Sequence, residues 1–266
     1  MFVAGYCRWQ RWARWDRARP SLRTPEGRST VRLLAYRVAR RTRPASSLGP
    51  LIAMNDSASE SEPIPGADEI AVRLQSESPG ERARGVHLLR YLEDPDRFNT
   101  LMNMLEDVDS QVRYAAVTLF ATVGGYDRQR TKEAMLQVLR NEQEEATVRA
   151  GASDTLGALR MHEVLPDLED AFRNSKDWVV RFSVIAALGE LGAREAFPLL
   201  EEALQLGAEE PLVQLAAIGA LGDLGDPRAL PLLEPLLQSK DRSVAERAQI
   251  ALDILKTKLD APPDSK

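Results

Sequence analysis

From about residue 67 onward, apolar residues recur at helical spacing, as in Val180, Val184, Ala187, Leu188 and Leu191. Such a stripe gives each segment one face for a core and leaves the other charged. No hairpin dipeptide flanked by alternating apolar residues occurs, so the sequence predicts an all-α chain. The segments are also copies of one another. SQVRYAAVTLFATVG from Ser110, ATVRAGASDTLGALR from Ala146 and WVVRFSVIAALGELG from Trp178 align with PLVQLAAIGALGDLG from Pro211 and RSVAERAQIALDILK from Arg242. Their anchor valines are Val112, Val148, Val180, Val213 and Val244, spaced by 36, 32, 33 and 31 residues. Eight positions after each anchor stand Phe120, Leu156, Leu188, Leu221 and Leu252, and nine after three of them Gly157, Gly189 and Gly222. A weaker copy, ERARGVHLLRYLED, starts at Glu81.

Between the copies lies a second kind of helix, in VLPDLEDAF, AFPLLEEAL and ALPLLEPLL, with Pro166, Pro198 and Pro231 in the first turn, where a missing N–H costs little. Asp226 before Pro227 and Asp94 before Pro95 read as N-caps, and Ser78 to Glu81 has the spacing of a capping box. A two-helix unit of this length cannot bury both its apolar faces alone, so the units stack into one continuous core. The expected architecture is a right-handed α-α superhelix of six helix pairs, at 67–92, 95–123, 128–159, 162–191, 194–224 and 227–257. The repeat domain accordingly covers 67–257, after an N-terminal extension (1–66) and before a polar tail (258–266). Alanines and glycines such as Ala186, Ala187, Gly189, Ala216, Ala217 and Gly219 let neighbouring helices approach. The repeat fades at the end, where Ala245 and Asp253 replace arginine and glycine. The spacing of Gly219, Gly222 and Gly225 resembles a phosphate loop but lacks a preceding strand or a following Lys-Ser/Thr, so it is read as a helix terminus.

Charge separates the extension from the body. The whole chain of 266 residues carries -5, but residues 1–53 hold twelve arginines against Asp16 and Glu26, a net +10, leaving -15 for the remainder. Trp9, Trp12 and Trp15 share this opening segment. A basic arm, a transit peptide and an over-long start with translation from Met54 all account for it. The last, or disorder, is preferred because the composition breaks so close to a methionine. One cysteine, Cys7, and two histidines far apart in the repeat ladder, His87 and His162, leave no metal site. No run of eighteen apolar residues is present to span a bilayer.

The candidate chemistry lies on the second helix of each pair. Arg113, Arg149 and Arg181 follow their anchors directly, and Gln214 and Ala245 break the row. Two readings stand: a structural ladder to acids such as Asp109, Asp177 or Asp241, or a row of guanidinium groups receiving carboxylates from a ligand. A repeating position ordinarily serves stacking, which favours the ladder. Two residues past each anchor, Tyr114, Ala150, Phe182, Leu215 and Glu246 are expected on the concave face, with Asp154, Glu190 and Asp223 further along. Trp178 ends this track. The candidate partner- or bilin-binding residues are therefore Tyr114, Arg149, Asp154, Trp178, Arg181, Phe182 and Glu190. Aromatics interleaved with charge suit a protein groove or a flat conjugated ligand, and equally fill gaps between repeats. Adjacent acids such as Glu144-Glu145 and Glu201-Glu202 fan outward, and no nucleophile–base–orienter set emerges, so no catalytic residue is assigned.

At VVRFSVIAALGELG and LVQLAAIGALGDLGDPRALPLL, and over roughly residues 78–255, the sequence resembles the HEAT-like repeats of the cyanobacterial phycobilisome-lyase group. The DWVVRFSVIAALGELG segment is most similar to its phycobilisome-degradation branch, itself similar to the paired E/F-type bilin lyase subunits. The resemblance implies a non-catalytic cytoplasmic adaptor that associates with phycobiliproteins and promotes phycobilisome disassembly. It needs no cofactor beyond transient contact with a phycobilin, and a homologous partner chain is compatible with it. Beside the resemblance, chemical matching to a bilin alone motivates the expectation that Arg149 and Arg181 receive its propionates, that Asp154 or Glu190 accepts pyrrole N–H bonds, and that Tyr114, Phe182 or Trp178 flanks the rings. A bilin lyase subunit and a generic assembly scaffold remain the alternatives. Nucleic acid is not expected as a partner, because the body's negative charge repels phosphate.

Overall fold

The computed structural model describes residues 65–93, 95–207 and 209–260. The basic opening segment, the Met54 start, the Asp94 cap and most of the polar tail lie outside the described residues. Twelve α-helices follow in order: α1 Ala67–Leu74, α2 Pro79–Leu88, α3 Asp96–Met104, α4 Ser110–Val123, α5 Arg128–Arg140 and α6 Ala146–Ala158. The series continues with α7 Leu165–Asn174, α8 Trp178–Leu191, α9 Phe197–Gln205, α10 Pro211–Leu224, α11 Leu230–Leu233 and α12 Arg242–Asp260. No strand occurs among the described residues. Short 3-10 turns lead into α7, α9 and α11, and each of these helices then carries its proline in the first turn.

The second helices, α2, α4, α6, α8, α10 and α12, pack against one another in unbroken succession, whereas the first helices contact mainly their own partners. Two rows of unequal spacing must bend, with the tight row on the inside of the arc. Glycine sets that spacing. A Cβ on Gly157, Gly189 or Gly222 would lie 2.8, 2.9 and 2.6 Å from atoms of Ala187, Ala220 and Ala251 on the next helix of the row. The predicted core positions hold: Val112, Val148, Val180 and Val213 are fully buried, as are Phe120, Leu156, Leu188 and Leu221. The architecture is an all-α solenoid.

Two local expectations are corrected. Of the run Gly219, Gly222, Gly225, only Gly225 terminates a helix, with φ +67°, as Gly192 does for α8. Gly219 and Gly222 lie inside α10, where side chains and backbone of α12 leave no room for a Cβ. The capping box at Ser78 does not form. The Ser78 side chain caps nothing, and Glu81 turns instead to Arg73 (2.8 Å) and Arg84. Asp226 is an N-cap as expected, accepting from the Arg228 N–H at 2.9 Å. Among the described residues no helix is long and apolar enough to cross a membrane.

Candidate functional site

The candidate residues separate into an edge and a face. The edge runs along the N-terminal ends of the second helices, where the arginine row stands. Asp109, Asp177 and Asp241, expected as its partners, are N-caps instead, accepting from the N–H groups of Gln111, Val179 and Ser243 at 2.7–2.8 Å. The arginines reach acids just ahead of the next second helix. Arg113 forms a two-pronged pair with Glu144, both contacts 2.7 Å, and Arg82 does the same with Asp107 at 2.7 and 2.8 Å. Arg181 pairs with Glu210 and lies 4.6 Å from the Phe172 ring centre. Burial alone would raise the Glu144 pKa, but the hydrogen bonds from Arg113 and the Glu145 N–H outweigh it and hold Glu144 below the ordinary carboxylate range. The row is thus a ladder between repeats, and Arg181 is spoken for.

Arg149 stands apart. The slot ahead of α8 that would hold its acid is occupied by Lys176, and Arg149 Nε donates to the Leu139 carbonyl at 3.0 Å. Gln214 makes the equivalent bond to the Leu204 carbonyl. Trp178 opens α8 at the same end of the row and is 42% exposed. Lys176, Arg149 and Trp178 leave this end cationic and aromatic where the ladder elsewhere is neutralised.

The face is built by α4, α6 and α8. Tyr114 and Phe182 share one register position on α4 and α8, and both are partly buried against the core, with one side left on the inner row. The Tyr114 ring covers Gly151 of α6, approaching within 3.3 Å of where its Cβ would be. Ala150, expected beside them, is buried because its single methyl lies below its taller neighbours. One turn beyond Gly151 comes Asp154. Part of this residue still meets solvent, while protein atoms surround much of its carboxyl. Burial, reinforced by the negative charge of Glu190, raises its pKa to about 8. The Ser183 hydroxyl works the other way, although it makes no regular hydrogen bond. Asp154 is therefore mostly a protonated acid at neutral pH, with an O–H to offer where the sequence suggested only an acceptor.

Two residues of the second helices, one on this face and one further along the row, escaped the sequence reading. Ser183 and Arg247 both stand three positions after their anchors, in a column otherwise filled by Ala115, Gly151 and Ala216. An arginine in a column of small residues was the available signal. Ser183 faces Asp154 across α6 and α8, and Arg247 faces Gly219 across α10 and α12. Among the described residues no group of His, Cys, Asp and Glu is arranged to hold a metal.

A family model described as HEAT repeats matches residues 99–189 and 173–253. Among solved structures, the chain is similar to one in the complex of CpcE and CpcF of phycocyanin lyase from Nostoc sp. PCC7120. The identity is 24%, with a TM-score of 0.50, covering 60% of this chain and 65% of that one. The match thus spans just under two thirds of the Nostoc chain. A structure of human deoxyhypusine hydroxylase with glycerol also matches, at 19% identity and TM-score 0.34, over 71% of this chain and 96% of that one. No curated protein matches the sequence.

Proposed function

The chain belongs to the HEAT-repeat family, and from that premise we propose that it is an adaptor which binds phycobiliproteins on its inner row of helices and promotes their disassembly. One observation carries the reading: Tyr114 covers Gly151 on the next second helix, and Asp154, one turn on, lies beside Ser183 and Glu190 of the helix after that. Aromatic surface, a neutral acid and an ionisable acid suit a flat conjugated group with N–H donors and carbonyl acceptors, which is the chemistry of a bilin. The fold likeness to a phycocyanin lyase chain supports the same class of partner. Arg181 leaves the list of propionate receivers because Glu210 occupies it. Arg149, held by one backbone carbonyl, stays.

The same likeness favours a second reading, a lyase subunit that attaches or detaches the chromophore. Incubating the purified chain with phycocyanin and following bilin absorbance separates the two. The adaptor leaves the spectrum of covalently attached bilin in place, and the lyase reading requires it to change. For binding itself, a pull-down with phycocyanin tests the face. Arg149→Ala together with Phe182→Ala is expected to weaken capture at least tenfold. Capture equal to that of the unsubstituted chain would remove this face from consideration.

A further inference from the structure

Arg82, Arg113 and Arg181 each meet a carboxylate and Arg149 stays at the helix edge, but Arg247 stands in a column otherwise filled by alanine, glycine and serine. The consequence is visible in the packing. The Arg247 guanidinium lies across α10 at Gly219, so close that a Cβ on residue 219 would fall 2.1 Å from Nη2 and 2.8 Å from Cζ. The glycine is what seats it. Arg247 Nε donates to the Leu215 carbonyl at 3.3 Å, and among the described residues it takes part in no ion pair. Burial alone depresses its pKa, with no carboxylate close enough to push back. A guanidinium partly withdrawn from water without a counter-charge carries a desolvation cost, and Arg149 is the one other arginine discussed above that is part-buried without a carboxylate. Arg82, Arg113, Arg181 and Arg228 are all paired.

We infer that Arg247, in the seat left by Gly219, is a carboxylate-binding position that receives an acidic group of a ligand laid along the inner row. The seat is part-exposed, so a ligand can reach it. It lies in register with the Asp154–Ser183 contact, two helix spacings away, or about 16–20 Å at 8–10 Å per packed pair. Ala186 and Ala216, small side chains at the same register positions, fill the interval. A ligand that spans it meets a protonated acid at one end, an apolar floor in the middle and an unpaired cation at the other. A bilin propionate and an acidic side chain of a bound protein present the same carboxylate. The bilin source rests on the proposed function; the presence of an unfilled cation seat does not.

The full chain, Arg247→Met and Gly219→Ala test it together. Binding is titrated with biliverdin, with its dimethyl ester and with phycocyanin, and melting temperatures are taken without ligand. The expected result for a bilin source is that the unsubstituted chain prefers the free acid to the ester at least tenfold and that both variants lose the preference. For a protein source, both variants weaken phycocyanin binding tenfold and leave biliverdin unaffected. Either supports the seat. Variants that bind all three probes like the unsubstituted chain overturn it and leave the proposed function standing. Failure of the unsubstituted chain to bind any probe defeats the proposed function, and the melting temperatures then decide the seat alone. Arg247→Met melting at or above the unsubstituted chain fits an uncompensated cation, whereas a fall of several degrees makes Arg247 a structural strut and ends the inference.

Discussion

Asp154 shows how a single residue reports its surroundings. An aspartate in the unfolded chain titrates near ~3.9, and in the fold burial and Glu190 bring it to about 8. Between those values the folded state holds one more proton than the unfolded state. Stability therefore falls as pH rises through that window and levels off above it. Asp154→Asn keeps the shape of the neutral acid and removes the titration. We predict that it stabilises the chain at pH 8 by roughly 1–3 kcal/mol and makes no difference near pH 4, checked by thermal melts across that range. A variant less stable at pH 8 would mean that the ionised form is the one the fold holds. The identity and rough place of Asp154 were legible in the sequence, because the repeat register puts it on the inner side. Its protonation was not. That depends first on burial under the neighbouring helix and then on the charge of Glu190, against which Ser183 works. The same holds for the arginine ladder: the arginines stand out in the text, but their partners Asp107, Glu144 and Glu210 sit in loops outside the repeat signature.

At the scale of the helix, the column nine positions after the anchor explains both the regularity of the solenoid and its end. Gly157, Gly189 and Gly222 allow contact with Ala187, Ala220 and Ala251 on the following helix. At the first such interface the pair is Ala121 and Thr155, and Thr155 Oγ1 donates to the Val117 carbonyl at 2.9 Å. At the last, Asp253 stands exposed, bonded to Gln249, and among the described residues no further second helix packs on it to demand a small residue. The sequence shows this fading, and the packing supplies its cause. Gly189→Val forces a branched side chain against the α10 backbone, and overpacking of this kind costs about 1–3 kcal/mol. Asp253→Val, at the equivalent site with no neighbour, is expected to change stability by no more than ~0.5 kcal/mol. Denaturant unfolding of the two variants checks the contrast, and equal losses would contradict the assigned packing. Register alone misled in two places, Ala150 and the Gly219–Gly222–Gly225 run. Whether a small residue faces a ligand, a neighbouring helix or a terminus depends on the helix stacked upon it.

Across the described residues, the successive second helices give one side of the solenoid a tightly packed surface. Asp154, Ser183 and Arg247, three polar residues in unusual settings, are all carried by second helices. Fold class followed from the repeat period, since stacked copies must share one core; what the inner row meets is a property of side chains from several repeats together. The most direct test of the account is hydroxyl-radical footprinting of the full chain, alone and with phycocyanin. Tyr114, Phe182 and Leu215 on the second helices are expected to lose at least half their labelling in the complex. Leu136 and Leu232 on the first helices should keep theirs. Protection of the first helices with the inner row still labelled, or no protection at all, would contradict the claim that recognition takes place on this surface.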